Sequence, residues 1–565
     1  MGRLKKSSAR RTGTTRRDFF KRAGGAAAAL GATSLLQACG GGDDDDDSSP
    51  NPSTSGPFQH GVASGDPLSD RVMLWTRVTV GAAGPASVEC VVATDPALTQ
   101  VVARTSLTTD ASRDYTVKTD VIGLQADTTH YFRFAFGTTQ SPIGRTRTLP
   151  TGNATRLRMA VVSCSSLAHG YFNAYRRIAQ RADLDFVVHL GDYIYEYASG
   201  QFGNVRPYEP TTETLTLSDY RTRHAQYKRD VDLQEVHRQH PMIAIWDDHE
   251  IANDSNATGA ANHTEGAEGT WPDRVSAALQ AYYEWMPVRV ASSADPRRNN
   301  RTFAFGNLVD LFMLEERLVG RSPQLPSNTS TSGVFTQSGA FADPARQVLG
   351  TDEEGWLASG LRSSTARWKL IGQGVMFAHL KVEPASNASG GGRFVNADQW
   401  DGYQPARDRV YDILKGTSTT PAVGNVAVLS GDAHSSWAAD LTQDPNNPDP
   451  GTGGYDPGSG VGSRAVEFVG TSVTSPALID TGGLAEATLK FINPHFKYIE
   501  LSKRGYMLVD VDSSRVVCEW WHVDTVTSAN SGKSLGAAYQ VLNGANRLSV
   551  AAQTSPRPSP PALAP

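Results

Sequence analysis

Short runs of alternating apolar and polar residues fill the chain from residue 58 to about residue 150, and Gly, Pro and Asp separate them. Examples are residues 71–77, 88–92 and 131–136. A period of two residues is typical of strands that bury one face, and frequent turn residues favour antiparallel connections. The pattern predicts a small antiparallel β-sandwich domain over residues 58–150.

A second pattern begins at residue 156. Residues 157–163 form a strand-like apolar run, residues 171–182 carry apolar side chains at helical spacing, and residues 185–190 are almost continuously apolar. A continuous apolar run is typical of a strand covered on both faces. Strand, helix and strand in this order indicate a right-handed crossover in an α/β sheet. Five more buried strands are predicted at residues 242–246, 308–314, 368–377, 426–430 and 465–469. The pattern predicts an α/β domain over residues 156–525.

The first 39 residues have the order of charged and apolar residues that is typical of an export signal. Residues 1–22 are basic and contain Arg16-Arg17 before Phe19-Phe20-Lys21, and a weakly apolar stretch follows at 23–36. This stretch is too short and too rich in glycine to span a membrane. The twin arginine followed by Phe-Phe-Lys resembles the signal of the twin-arginine export route. We therefore expect the twin-arginine translocation machinery as a partner and a periplasmic or other extracytoplasmic location.

The segments that flank the two domains are predicted to be flexible. Leu36-Gln37-Ala38-Cys39 resembles a lipoprotein cleavage box, so Cys39 is a candidate lipid anchor, with ordinary cleavage and release as the alternative. Residues 40–57 are a polar linker. Residues 526–565 are interpreted as a C-terminal tail, and the Pro/Ala/Ser-rich part at 554–565 is predicted to be disordered.

Composition excludes several classes of protein. Hydrophobic residues make up 39% and charged residues 20% of the chain, which is ordinary for a globular protein. A net charge of −5 gives no basic surface for nucleic acid. Four cysteines in 565 residues do not form a disulfide scaffold. Cys90 and Cys518 lie in strand-like runs, and we interpret them as buried small apolar side chains rather than a disulfide.

Four predicted strands end in residues of metal-binding types. The four sequences are SCS at 163–165, GDYIYEY at 191–197, WDDHE at 246–250 and SGDAHSS at 430–436. Ligands of open α/β sheets gather beyond the carboxyl ends of the strands, so these ends are expected to converge. The candidate metal ligands are Cys164, Asp192, Tyr195, Asp248, Asp432 and His434.

These residue types fit hydrolysis of phosphate esters. The reaction builds negative charge on the attacking and leaving oxygens, and two cations about 3.5–4 Å apart can bind the phosphoryl oxygens and generate a metal-bound hydroxide nucleophile. Asp192, at a strand end, is the best candidate for the carboxylate that bridges two ions. Thiolate, phenolate and imidazole ligands favour a transition metal, whereas extra carboxylates favour a hard ion such as calcium.

The motifs as a set resemble the PhoD-type alkaline phosphatases from about residue 58 to residue 524. They are HGVASGDP (60–67), RVMLWTR (71–77), SC (163–164), HLGDYIYEY (189–197), WDDHE (246–250), WDGY (400–403), SGDAH (430–434), EFVGTSVTSP (467–476) and NPHFKY (493–498). The resemblance implies a calcineurin-like metallophosphatase fold, a β-sheet sandwich flanked by helices, behind an N-terminal β-sandwich. It also implies twin-arginine export, and phosphomonoesters and phosphodiesters as substrates.

The resemblance further implies a mixed site of Fe³⁺ and Ca²⁺. Carried onto this sequence, it places iron on four side chains, namely Cys164, Asp192, Tyr195 and His434. It places calcium on Asp192, as the bridge, with Asp248 and Asp432. His249 matches a histidine that contacts phosphate or protonates the leaving group; orientation of a metal ligand is the alternative role.

One motif departs from the family pattern. Residues 314–317 read Leu-Glu-Glu-Arg where Leu-Asp-Thr-Arg is expected. Arg317 is retained and is a candidate substrate-binding residue that contacts phosphate. Its alternative role is that of a surface salt-bridge residue.

Two other functions remain open at this point. A phospholipase D-type phosphodiesterase on the same scaffold would prefer esters of lipid head groups. A non-catalytic anchored binding lipoprotein would hold its metal ions for structure alone.

Overall fold

The computed structural model describes residues 56–385, 391–478, 480–530 and 532–565. The predicted export signal, Cys39 and nearly all of the linker at 40–57 lie outside the described residues. No helix in these described ranges is long and apolar enough to cross a membrane.

From residue 156 onward helices separate the first strands of the core, as the apolar pattern predicts, and later strands follow one another in groups. The strands are β1 (Val62–Gly65), β2 (Arg71–Arg77), β3 (Ala86–Ala93), β4 (Val101–Thr109), β5 (Thr116–Ile122), β6 (Thr129–Phe136), β7 (Thr139–Gln140), β8 (Gly144–Arg147), β9 (Arg156–Val162), β10 (Phe186–His189), β11 (Pro241–Ala244), β12 (Arg301–Phe305), β13 (Val309–Met313), β14 (Trp368–Gln373), β15 (Lys381–Glu383), β16 (Arg393–Phe394), β17 (Val426–Ser430), β18 (Ser436–Leu441), β19 (Ala465–Val469), β20 (Phe496–Glu500), β21 (Gly505–Asp512), β22 (Arg515–Val523), β23 (Lys533–Leu542) and β24 (Leu548–Val550). The helices are α1 (Asn173–Ala179), α2 (Leu217–Lys228), α3 (Val231–Gln239), α4 (Trp271–Trp285), α5 (Gly350–Ser363), α6 (Gln404–Lys415) and α7 (Leu484–Ile492).

Two large sheets pack face to face. The ten-stranded sheet has the order β24-β23-β22-β21-β9-β10-β11-β1-β2-β5, and the seven-stranded sheet has the order β12-β13-β14-β17-β19-β18-β20. One buried cluster joins them, with Val161 and Val188 from the first sheet and Leu311 and Leu429 from the second. Each such side chain contributes about 1.5–3 kcal/mol when it leaves water. The predicted α/β fold of two sheets flanked by helices is confirmed.

The continuous apolar runs arise because both faces of the central strands are covered. In β9 and β10, Val161 and Val188 face the other sheet, whereas Val162 and Val187 face the helices. Successive side chains of a strand point to opposite faces, so a strand buried on both sides needs an apolar residue at nearly every position.

The N-terminal β-sandwich shares a sheet with the α/β core. Strands β3, β4, β6, β7 and β8 form one layer, and their buried residues pack against β1, β2 and β5. Strand β1 also pairs in parallel with β11, with Ser64 opposite Pro241. The second layer of the sandwich is therefore the edge of the ten-stranded sheet.

The C-terminal segment packs against the core. Strands β23 and β24 extend the ten-stranded sheet past residue 525, and both the backbone N–H and the hydroxyl of Thr554 donate to Glu519 Oε1, at 2.5 and 2.6 Å. Farther on, the Ala564 N–H donates to Gln239 Oε1 at 2.8 Å. The prediction of disorder at 554–565 is wrong, because its polar groups bond to residues far away in the sequence.

Arg557→Ala should lower the free energy of unfolding by about 1–2 kcal/mol. Arg557 binds both oxygens of the buried Asp185 at 3.0 and 2.6 Å, and its loss leaves that carboxylate with fewer donors. Urea denaturation measures the change. Arg393→Ala, whose partner Glu383 is 59% exposed, is the matched control and should change stability by less than about 0.5 kcal/mol. Equal effects of the two variants would contradict this role of Arg557.

Candidate active site

The predicted ligands lie where the carboxyl ends of the two sheets meet. Strands β9, β10 and β11 of the ten-stranded sheet lead to Cys164, Asp192 and Asp248, and β17 of the seven-stranded sheet leads to Asp432 and His434. The structure brings these strand ends together, as the sequence predicts. Cys164, Asp192, Asp248 and Tyr195 are fully buried, Asp432 is 3% exposed and His434 is 9% exposed.

Unusual backbone conformations direct four of these side chains. Cys164, Asp192, Asp432 and His434 have φ values of 60°, 57°, 55° and 52°. This left-handed region is uncommon for residues other than glycine and costs roughly 1–2 kcal/mol each. Gly191, after β10, lies so close to Asp247, after β11, that an added Cβ would be 2.4 Å from Asp247 Cβ. The strand ends are therefore strained and tightly packed, which fixes where the ligand atoms point.

The first group of ligand atoms has mixed chemistry. Cys164, Asp192 and His434 each offer one atom, and these atoms lie within 4.8 Å of one another. Tyr195 Oη lies 2.9 Å from Asp192 Oδ2 and 3.4 Å from His434 Nε2. Ser475 Oγ donates to Tyr195 Oη at 2.6 Å. Burial, with Asp192 and Cys164 nearby, raises the pKa of Tyr195 well above its usual value, so the phenol keeps its proton until a cation lies beside it. Sulfur, phenol, carboxylate and imidazole thus surround one small space.

The second group consists of carboxylates. Oxygens of Asp192, Asp247, Asp248 and Asp432 lie within 4.8 Å of one another, and all four residues are buried. Burial raises the pKa of Asp247 to about 7, with Arg317 opposing the shift and Asp248 adding to it. Burial also raises the pKa of Asp192 well above its usual range.

This concentration of buried acid groups is costly without counter-charge. Asp192 Oδ1 and Asp247 Oδ2 are buried and have no hydrogen-bond partner. A buried unpaired carboxylate is strongly disfavoured, and bound cations remove the penalty. The donor set therefore fits a pair of metal ions that share Asp192.

His249 lies beside both groups. Its ring offers a nitrogen within 4.8 Å of oxygens of Asp192 and Asp248, and Nδ1 lies 2.7 Å from Glu196 Oε2. Burial opposes charge on the ring, but Asp248, Glu196 and Asp192 outweigh it and raise the pKa of His249 well above its usual value. These carboxylates favour the protonated imidazole, and Glu196 fixes the ring through Nδ1.

Arg317 is fully buried, so the alternative of a surface salt-bridge residue is wrong. Its Nη1 donates to both oxygens of Asp398 at 3.0 and 2.9 Å, and Nε donates to Asp247 Oδ1. Its Nη2 is buried without a hydrogen-bond partner, 3.7 Å from Asp248 Oδ1. The Nη2 amino group of a fixed guanidinium is therefore available at the edge of the carboxylate group.

Comparison with known proteins identifies the family. A family model described as PhoD-like phosphatase matches residues 159–520, and the model of the PhoD-like phosphatase N-terminal domain matches residues 45–150. This chain belongs to the PhoD-like phosphatase family. It is 34% identical over 502 residues to alkaline phosphatase D of Bacillus subtilis (strain 168), covering 86% of this chain and 81% of that protein.

A solved structure described as the structure of PhoD agrees with the fold. It superposes with a TM-score of 0.78 at 32% identity, covering 90% of this chain and 95% of that one. The resemblance drawn from the motifs is confirmed, and this PhoD-like phosphatase is a hydrolase of phosphate esters.

The unusual Glu315-Glu316 pair of this PhoD-like phosphatase has a structural role. Glu315 Oε1 accepts from the backbone N–H groups of Arg317 and Leu318 at 3.0 and 2.8 Å. Glu316 Oε2 accepts from the backbone N–H of Gly374 at 2.8 Å. Both glutamates are buried, so the altered motif still holds the loop that carries Arg317.

Sequence reasoning missed several residues of this PhoD-like phosphatase site. Glu250 accepts from the backbone N–H groups of both Asp192 and Asp247, at 3.1 and 2.8 Å. Three missed residues, Glu196, Asp247 and Glu250, stand in quoted motifs beside proposed ligands, and this adjacency was an available signal. Asp398 lies outside every quoted motif, and no local pattern indicates its contact with Arg317.

Glu196→Gln should lower phosphatase turnover about 10–100-fold while the metal content stays unchanged. Glu196 fixes His249 and is itself held by the Asn253 N–H at 2.8 Å and by Asn262 Nδ2 at 2.6 Å. The amide keeps the shape of the carboxylate but removes its charge. Steady-state kinetics with elemental analysis checks this outcome, and loss of metal in the variant would point to a structural role instead.

Proposed function

We propose that this PhoD-like phosphatase hydrolyses both phosphomonoesters and phosphodiesters outside the cytoplasm at a site that holds Fe³⁺ and Ca²⁺. One observation carries the proposal. Asp192 belongs both to the mixed group of ligand atoms, with Cys164 and His434, and to the carboxylate group, with Asp247, Asp248 and Asp432. A carboxylate suits this shared position because its two oxygens can serve one group each.

The two halves of the site suit different ions. Cys164, Tyr195 and His434, with Asp192, are ligands that favour a transition metal, and the phenol oxygen and carboxylate favour its ferric form. Asp248 and Asp432 are oxygen ligands of the kind that calcium prefers, with Asp192 as the bridge. Asp247 adds a fourth carboxylate to the calcium side.

When bound, the ions supply charge neutralisation for the phosphoryl oxygens and acidify the attacking water. The side chains of the protein orient the substrate and supply the proton. Arg317 presents Nη2 to a phosphoryl oxygen, and its orientation is set by Asp398 and Asp247. His249 holds its proton near the leaving oxygen, and Glu196 keeps the ring in place and stabilises its charge.

A comparison of three substrates tests the proposal against its rivals. The assay measures turnover of a phosphomonoester, a bis-aryl phosphodiester and phosphatidylcholine by the purified full chain. Comparable turnover of the first two, with slow cleavage of the lipid, is the expected result. Preference for phosphatidylcholine would favour a phospholipase D-type enzyme, and stoichiometric metal without any turnover would favour a binding lipoprotein.

Export by the twin-arginine route is part of the proposal. The support is the order of basic and apolar residues at 1–36, and the route suits a protein that binds metal while it folds. Replacing Arg16 and Arg17 by lysine should retain the protein in the cytoplasm. Mass spectrometry of the mature N-terminus determines whether Cys39 is acylated, and a first mature residue other than Cys39 would exclude the anchor.

A further inference from the structure

An aromatic side chain covers the His249 side of the active site. Phe202 stands in the loop between β10 and α2, and its ring centre lies 5.4 Å from that of Tyr195 and 6.3 Å from that of His249, with interplanar angles of 24° and 19°. Tyr197 approaches the same ring at 5.0 Å. Phe202 is half-buried, so part of the ring is exposed to solvent next to Tyr195 and His249.

The loop that carries Phe202 is held at both ends. The Val205 N–H donates to the Ala168 carbonyl at 2.8 Å, and the Ser199 N–H donates to the Thr211 carbonyl at 2.9 Å. Gly203 has a φ of +84°, and an added Cβ would lie 2.6 Å from the Ala168 carbonyl oxygen. The backbone at Gly203 thus passes too close to Ala168 for any larger residue. These contacts hold the position of the neighbouring Phe202.

Phe202 packs against a buried apolar cluster, and its nearest ring is that of His169, at 4.4 Å in edge-to-face geometry. Its near-parallel neighbours are Tyr195 and His249, both of which belong to the active site. Tyr197, which contacts both Phe202 and His249, is fixed by a hydrogen bond from its hydroxyl to Asn253 Oδ1 at 3.0 Å. An apolar ring that is half exposed beside Tyr195 and His249 is suited to contact a ligand, because a ligand completes its burial.

We propose that Phe202 and Tyr197 form a leaving-group subsite that favours phosphate esters whose alcohol carries an aromatic ring. The inference rests on the proposed role of His249, because the proton donor marks the side of the phosphate from which the alcohol leaves. A planar ring packs against Phe202 in the offset geometry that aromatic pairs prefer. The expected gain in affinity over an alkyl group of two carbons is about tenfold.

Two non-hydrolysable ligands test the subsite. Benzylphosphonate and ethylphosphonate carry the same phosphonate group and differ in the ring, and calorimetry on the metal-loaded full chain gives both dissociation constants. Benzylphosphonate should bind about tenfold more tightly, and Phe202→Ala should remove most of this preference while changing the Kd of ethylphosphonate less than about twofold. Phe202→Tyr should keep the preference, because the aromatic face remains.

A matched control is Phe136→Ala, which removes a half-buried ring from β6 of the N-terminal sandwich and should leave both dissociation constants unchanged. Equal affinity of the two ligands, or a preference that survives Phe202→Ala, would overturn the subsite. Turnover of benzyl phosphate and ethyl phosphate is measured in parallel. Failure of the wild-type chain to hydrolyse either ester would overturn the proposed function and would leave the binding preference as an independent result.

Discussion

Replacement of Asp192 by alanine should lower turnover of a phosphomonoester by at least about a thousandfold and should release the metal ions. Asp192 belongs to both groups of ligand atoms, so its loss opens both halves of the site at once. Elemental analysis and steady-state kinetics on the purified variant measure the two effects together.

The metal-free proteins provide a second readout for the Asp192 variant. Burial raises the pKa of Asp192, and the neighbouring carboxylates Asp248, Asp247 and Glu250 add to the shift, so its removal takes away a repulsive partner. Without metal, the variant should melt no lower than the wild type, which separates loss of metal from loss of fold. Asp70→Ala, which changes a carboxylate with 53% exposure, is the control and should keep full metal content. Full metal content in the Asp192 variant would contradict the bridge.

Replacement of His249 by alanine should discriminate between leaving groups. Loss of a general acid costs about 10²–10⁴-fold when the leaving group is a basic alkoxide. An aryl phosphate releases a stable phenolate that needs little protonation, so its turnover should fall less than about tenfold. Turnover of an alkyl and an aryl phosphate by the same preparation measures the ratio.

The metal content of the His249 variant decides how the ratio is interpreted. His249 is held by Glu196, and in the proposed mechanism it serves the substrate rather than a metal ion. The metal content of the His249 variant should therefore stay at the wild-type level. Glu196→Gln should also lower turnover of the alkyl phosphate more than that of the aryl phosphate, but by a smaller factor. Equal losses on alkyl and aryl esters would exclude general acid catalysis by His249.

Much of the site could be predicted because the signals are local. The apolar runs predicted strands at 157–163 and 185–190, and the structure has β9 at Arg156–Val162 and β10 at Phe186–His189. Once the strand ends are known, the rule that ligands gather beyond them brings Cys164, Asp192 and Asp432 together. The buried Cys90 and Cys518 also fit their strand-like surroundings, and both are free thiols.

The features that escaped prediction depend on contacts between distant parts of the chain. The pairing of β1 with β11 joins residues about 177 positions apart, and no local period indicates it. The burial of Arg317 follows from Asp398, which comes 81 residues later. Residues 554–565 have the composition of a disordered tail, yet Glu519 and Asp185 supply the acceptors that hold them.

Metal reconstitution tests the mixed iron and calcium site most directly. The purified chain is stripped of metal, and turnover of a phosphomonoester is measured after addition of iron, calcium, both ions or zinc. We expect turnover to return only when iron and calcium are added together, because the mixed donor group and the carboxylate group suit different ions. Full recovery with zinc, or with either ion alone, would contradict the account.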